Sequence, residues 1–299
     1  MPRLPNFVIA GAPKCGTTSL AAWLGQHPRV YMSPLKEPAY FALDLESRSV
    51  RSWEVYTRLF EGAGQQDIAV GEASTAYLFS HAAIPCIEKQ LPAVRYIVMI
   101  RNPIEMAYSL HEQQQYIGNE NVTDFSEAWH LSAERRGGRK VPARCHEPLM
   151  LDYQSFCQLG EQLERLLQIV PSDRILILVL DDLRKDPRVE YSKALEFLGL
   201  PDDGRTEFRV HNPAKGWRSR WLGRGVRQFA IAVSTAKYRM NVLPKRSLGV
   251  VRFLQERATK YRPRAPMSAE LRRELRDFYS EDVSKLERIL ERDLSAWRE

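Results

Sequence analysis

Near its start the chain passes from a short apolar run through a glycine-bounded loop into a helical pattern, and this passage limits the fold more than any other segment. Residues 7–10 (FVIA) are apolar throughout and end on Gly11, which predicts a buried strand. The loop Gly11-Ala12-Pro13-Lys14-Cys15-Gly16 follows. Residues 17–26 then read as a helix, with Leu20 and Leu24 one turn apart and Trp23 beside them. His27-Pro28 ends it, because the residue before proline avoids helical angles. A strand joined to a helix by a tight loop opens a βαβ unit, and such units build parallel sheets with helices on both faces.

The remainder of the chain repeats the theme. Residues 30–32, 69–71, 96–100 (YIVMI) and 175–180 (ILILVL) read as further strands, and residues 104–115, 153–170 and 190–198 read as helices between them. Right-handed crossovers put the loops after the strands along one edge of the sheet, where ligands bind. Past Gly199 the strand signal fades. Residues 217–261 are basic, aromatic and read as helical. Residues 268–294 form a long amphipathic pattern, with Ser268 as N-cap and Leu271, Leu275, Phe278, Val283, Leu286 and Leu290 as its apolar stripe. We read residues 1–299 as a single domain whose basic segment closes over the site.

Charge is unevenly placed. The net charge is +7, but residues 205–264 hold sixteen Lys and Arg against Glu207 and Glu256, which gives that segment +14 and leaves −7 for the rest. Such asymmetry points to an anionic partner (a nucleotide, an acidic glycan, a membrane surface or nucleic acid) or to a solvated basic surface. The four cysteines, Cys15, Cys86, Cys145 and Cys157, form no C-x-x-C pair, so neither a structural zinc site nor a disulfide scaffold is expected. Residues 1–10 show no long apolar stretch and no apolar run is long enough to span a bilayer, so the expected location is cytoplasmic.

The loop after the first strand has the chemistry of an anion cradle. Backbone N–H groups of a tight turn and the positive end of a helix attract phosphate. Gly16 permits close backbone approach, Thr17, Thr18 and Ser19 add hydroxyl donors, and Lys14 adds a full charge. This is not a Walker A loop, which ends in Gly-Lys-Ser/Thr. Here Thr17 follows Gly16 and the lysine lies two places upstream, an arrangement in which protein charge rather than a metal neutralises the ligand.

K-x-G-T-T-S after a strand, followed by a helix and H-P, resembles the 5′-phosphosulfate loop of the sulfotransferases that use 3′-phosphoadenosine-5′-phosphosulfate (PAPS). The resemblance implies an α/β fold with a three-layer, P-loop-like parallel sheet flanked by helices, here with a helical basic extension near the C-terminus. By the same resemblance Lys14, Cys15, Gly16, Thr17, Thr18 and Ser19 hold the 5′ end of PAPS as co-substrate, without a metal. Arg101-Asn102-Pro103 with Ser109 is similar to the family's 3′-phosphate site, and guanidinium binds phosphate bidentately. Phe208, Asn212 and Lys215-Gly216-Trp217 resemble an element of the heparan-type members, and Lys260 and Arg262 resemble their late basic loop, which implies that Lys215, Lys260 and Arg262 reach the cofactor phosphates.

Lys36-Glu37-Pro38-Ala39-Tyr40-Phe41 is similar to the K-E-x-x-(Y/F)-F segment of the heparan-type and bacterial members, in which the glutamate is the proposed base. That implies Glu37 and Lys14 as the catalytic pair, Glu37 taking a proton from the acceptor and Lys14 balancing charge in the transition state. Two positions depart from the pattern: Ala39 stands where many members carry His, and Ala73 where the heparan-type members often carry Lys. Both bear on acceptor contacts. The implied acceptor is a hydroxyl or amine on a glycan, a lipid-linked sugar or a specialised metabolite. Glu72 is a weaker candidate for orienting it, and His111 reads as a helix-surface residue.

Two other readings stand beside this one. Residues 177–182 (ILVLDD) mimic a Walker B strand, as in a P-loop kinase or NTPase. Trp217, Trp221, Phe229 and Tyr238 interleave with basic residues, as in a membrane- or nucleic-acid-binding segment; peripheral membrane contact through residues 205–264 is compatible with catalysis, whereas a nucleic-acid partner is not expected.

Overall fold

The computed structural model describes residues 3–210, 216–217, 259–260 and 266–298. Five parallel strands make its sheet: β1 (Phe7–Gly11), β2 (Val30–Met32), β3 (Ala69–Ala73), β4 (Arg95–Ile100) and β5 (Ile175–Val179), in the order β2-β3-β1-β4-β5. β1 and β3 are buried along their whole length, and β4 at every position but Arg95, as continuous apolar strands covered on both faces must be. The chain runs from β1 to the far edge, returns as β3, and crosses β1 to reach β4. The connections diverge on either side of β1, and a ligand crevice opens at the carboxyl end of a strand in that position.

The flanking helices are α1 (Thr17–Leu24), α2 (Trp53–Arg58), α3 (Ala83–Gln90), α4 (Pro103–Ile117), α5 (Phe125–His130), α6 (Ser132–Arg136), α7 (Tyr153–Phe156), α8 (Leu159–Ile169), α9 (Leu180–Lys185), α10 (Pro187–Phe197) and α11 (Ala269–Leu290). Helix α4 has its sequence signals in place. The Asn102 side chain accepts from Ile104 N at 2.9 Å, Pro103 opens the first turn, and Gly118 closes the helix at φ 76°, a conformation that costs glycine least. Ser268 caps α11 by accepting from Leu271 N. Among the described residues no helix is long and apolar enough to cross a membrane.

The structure corrects several expected boundaries. Residues 153–170 are two helices rather than one, because the Asp282 carboxylate from α11 accepts from Gly160 N at 3.0 Å and Glu161 N at 2.9 Å and so starts α8 afresh. Leu180 belongs to α9 and not to the preceding strand. On α11, Tyr279 takes the buried position, while Phe278 is 40% exposed and meets the Trp129 ring edge-on. His111 is buried, not on the surface. Its Nε2 lies 3.0 Å from Val122 O, and burial lowers its pKa. Of the basic segment, residues 205–210 lie over α1, where Phe208 meets Trp23 edge-on and Trp23 Nε1 donates to Arg209 O. Two short antiparallel strands, β6 (Gly216–Trp217) and β7 (Thr259–Lys260), replace helix at the two ends of 217–261, and β6 runs beside α4. The rest of that segment, with Lys215 and Arg262, lies outside the described residues.

Candidate active site

Three loops meet at the carboxyl ends of β1, β3 and β4. The first joins β1 to α1. Ala12 N donates to Met99 O at 2.7 Å, which anchors the loop to β4, and Gly16 caps α1 at φ 91°. Ser19 N and Leu20 N both turn back to Gly16 O, so the helix begins at once. Lys14, Gly16 and Thr18 are partly exposed, whereas Cys15, Thr17 and Ser19 are buried. The Cys15 side chain points into the core, its sulfur near Pro13 O and the Met106 sulfur. Burial pushes its thiol up to about 12, against the pull of Arg101 and Lys14. Any contact of Cys15 with an anion would therefore come from its backbone.

Arg101 follows β4 and is itself buried, with Nη1 donating to Lys14 O at 3.1 Å. This bond ties the end of β4 to the phosphate-type loop. Ser109 is buried on α4, the helix that Arg101-Asn102-Pro103 opens. Lys260 is placed by its backbone in β7.

The third loop follows β3. Ser74 N donates to Ile9 O and Leu78 N to Ala10 O, which fold residues 74–78 across the end of β1. Gly11 is required there, since a Cβ would stand 2.6 Å from Leu78 Cβ and 3.3 Å from Thr75 O. The same turn grips Glu37: Thr75 N donates to Oε2 at 2.7 Å and Thr75 Oγ1 to Oε1 at 3.0 Å. Lys36 Nζ meets Oε1 at 2.5 Å. Oε2 thus has one partner among the described residues, and a carboxylate oxygen accepts two. With the side chain 36% exposed, that oxygen can take a proton from a molecule in the crevice.

Beneath Glu37 lies Glu72, wholly buried in β3. Ser74 Oγ donates to its Oε2 at 2.6 Å, and Tyr77 and Tyr56 hydroxyls donate to Oε1 at 2.7 and 3.3 Å. Burial pushes this carboxyl up to about 7, the hydroxyl donors oppose that, and the neighbouring Glu37 charge adds to it. Glu72 is closed off from solvent, so it does not meet an acceptor directly. At the end of β5, Asp182 is held by Arg292 in a two-point ion pair and Asp181 lies 3.4 Å from Arg184. The carboxylates of the Walker B-like segment are thus engaged by arginines.

Sequence reasoning brought Lys14, Gly16, Thr18, Arg101 and Glu37 to one edge of the sheet, and the structure gathers them there. It did not find Thr75, Ser74, Tyr77 or Tyr56. The available signal was Glu72 itself, a charged residue in the middle of a strand that is otherwise apolar.

The model of the sulfotransferase domain family matches residues 4–213, and the chain belongs to that family. Similar proteins include the human bifunctional heparan sulfate N-deacetylase/N-sulfotransferase 2, 26% identical over 211 residues, which cover 66% of this chain and 22% of that protein. Human carbohydrate sulfotransferase 15 is 29% identical over 170 residues, with 42% of this chain and 29% of that one covered. The chain spans less than a third of the length of these relatives. The crystal structure of a sulfotransferase from Alicyclobacillus acidocaldarius superposes with a TM-score of 0.72 at 25% identity, over 99% of this chain and 100% of that one. The α/β fold with its parallel sheet is thus that of a sulfotransferase.

Proposed function

We propose that the chain transfers a sulfuryl group from PAPS to a hydroxyl or amine of a glycan, a lipid-linked sugar or a specialised metabolite. The supporting observation is the grip of Thr75 on Glu37, because the same turn crosses the end of β1 where the phosphate-type loop begins. The loop suits a nucleotide phosphate. At Gly16 the left-handed φ and the crowding that a Cβ would meet from Leu180 and Met99 exclude a side chain, and Lys14 and Thr18 beside it are partly exposed. PAPS supplies the activated sulfuryl group and carries the leaving phosphate.

The protein's part is positioning and electrostatics, as in phosphoryl transfer. Glu37 Oε2 accepts the proton that leaves the acceptor oxygen or nitrogen. Lys14 and the amides near Gly16–Thr18 balance negative charge on the transferred group and on the departing phosphate. Arg101 and Ser109 hold the 3′-phosphate, and the proposal adds Lys215, Lys260 and Arg262 of the basic segment as further contacts to the cofactor phosphates. The chain's free cysteines suit a reducing compartment, and a cytoplasmic enzyme is part of the proposal.

Glu37→Gln keeps the size of the side chain and removes its basicity. The expected result is a loss of turnover of about 10²- to 10⁴-fold, with affinity for 3′-phosphoadenosine-5′-phosphate (PAP) unchanged. Turnover within about threefold of wild type would remove Glu37 from the role of base.

A further inference from the structure

We propose that Glu72 is a positioning residue that acts through Ser74, Tyr77 and Tyr56 to hold residues 37–41, and with them Glu37, in the orientation that faces the crevice. This rests on the reading of Glu37 as the base. The backbone to be held is unusual, since Glu37 and Ala39 both have positive φ, 58° and 51°, in a region that L side chains avoid.

Each part of this segment is tied to residues 73–77 or to α2. Glu37 N donates to Ala73 O at 2.9 Å. Ala39 N donates to Ser74 Oγ at 2.8 Å, and Phe41 N to the Tyr77 hydroxyl at 3.5 Å. The Tyr40 ring stacks on Tyr56 with centroids 5.0 Å apart. Ser74, Tyr77 and Tyr56 are the three residues whose hydroxyls donate to Glu72.

A hydroxyl has one hydrogen and two lone pairs. Where that hydrogen points to Glu72, a lone pair of Ser74 Oγ and of the Tyr77 hydroxyl is left to receive an N–H from the 37–41 segment, while Tyr56 meets the segment through its ring. An ionised carboxylate only accepts, so Glu72 sets all three hydroxyls in the same sense, and buried networks of this kind hold one arrangement when every member is satisfied. A protonated Glu72 must itself donate, which leaves one hydroxyl hydrogen without its acceptor. The titratable groups facing it are Glu37 from the segment after β2, Tyr56 from α2 and Tyr77 from the turn after β3. Since the carboxyl is pushed up to about 7, the change falls near neutrality.

The test compares wild type with Glu72→Gln and Ser74→Ala by amide hydrogen exchange over residues 36–41, by PAP calorimetry, and by turnover with PAPS and an N-deacetylated heparosan oligosaccharide as acceptor probe. We expect exchange at Ala39 and Phe41 to quicken about tenfold or more in Glu72→Gln. Turnover should fall about a hundredfold, while PAP affinity and the KM for PAPS stay within about twofold of wild type. Wild-type kcat is expected to rise through about pH 7, where Glu72 ionises, and this rise should flatten in Glu72→Gln. Ser74→Ala, which keeps Glu72, should reproduce the effect at Ala39, and the double variant should be no slower than the slower single one. Unchanged exchange over residues 36–41 in folded Glu72→Gln would overturn the proposal. If that variant does not fold, unchanged exchange at Ala39 in Ser74→Ala would do so. A wild type that neither binds PAP nor turns over would instead contradict the sulfotransferase reading, and the exchange result would still decide what holds the segment.

Discussion

At Gly16 a single missing Cβ sets the shape that the loop after β1 can take. Its φ of 91° is left-handed, and an added Cβ would lie 2.9 Å from Leu180 Cδ1 and 3.2 Å from Met99 Cε. Gly16→Ala should therefore cost about 1–2 kcal/mol in urea unfolding, and PAP affinity should weaken because the loop must shift; an unchanged midpoint and affinity would mean that the turn relaxes freely. Glu72 carries a second prediction, about pH. Its folded pKa of about 7 lies above the ordinary 4.5, so the native state holds a proton that the unfolded chain releases. The stability tied to this group is complete below about pH 4.5 and is lost as pH rises through about 7. Glu72→Gln should flatten the stability curve between those values, by at most about 1.4 kcal/mol per pH unit. Parallel curves for the two proteins would show that Glu72 titrates normally.

Elements whose signals are local were legible, and elements fixed from afar were not. Asn102, Pro103 and Gly118 bracket α4 within the sequence itself, and Val30–Met32 is a strand over the span its apolar run suggested. The break between α7 and α8 was hidden, because its cause is Asp282, more than a hundred residues away. Asp282→Ala would leave two N–H groups at the start of α8 without their acceptor, at a cost of about 1–3 kcal/mol, and hydrogen exchange at Gly160 and Glu161 should report the fraying. No change there would mean that α8 begins without this cap. Among the site residues, Lys14, Arg101 and Glu37 were visible through their motifs. Thr75 was not, since nothing local says that the turn after β3 will fold over the end of β1 and meet a loop nearly forty residues earlier in the chain. Glu72 was noticed as a weaker candidate for orienting the acceptor, but its complete burial was not legible, because sequence does not give burial.

Over the whole molecule, the strand order β2-β3-β1-β4-β5 explains why three loops from distant segments share one crevice. β1 lies between β3 and β4, so Glu37 and Arg101 approach the loop around Lys14 from opposite sides, through Thr75 and through Lys14 O. Charge is divided unevenly along the chain, with +14 in residues 205–264 against −7 elsewhere; of that segment, residues 205–210 lie over α1 and β6 beside α4. The central proposal is that the crevice takes a 3′-phosphorylated adenine nucleotide without a metal. Calorimetric titration of wild type and Arg101→Ala with PAP in magnesium-free buffer tests it most directly. We predict tight binding by wild type and a loss of at least about tenfold in Arg101→Ala, as expected when a charge-assisted phosphate contact is removed. Folded wild type that ignores PAP yet binds ATP with magnesium would contradict the account and favour a kinase-type site.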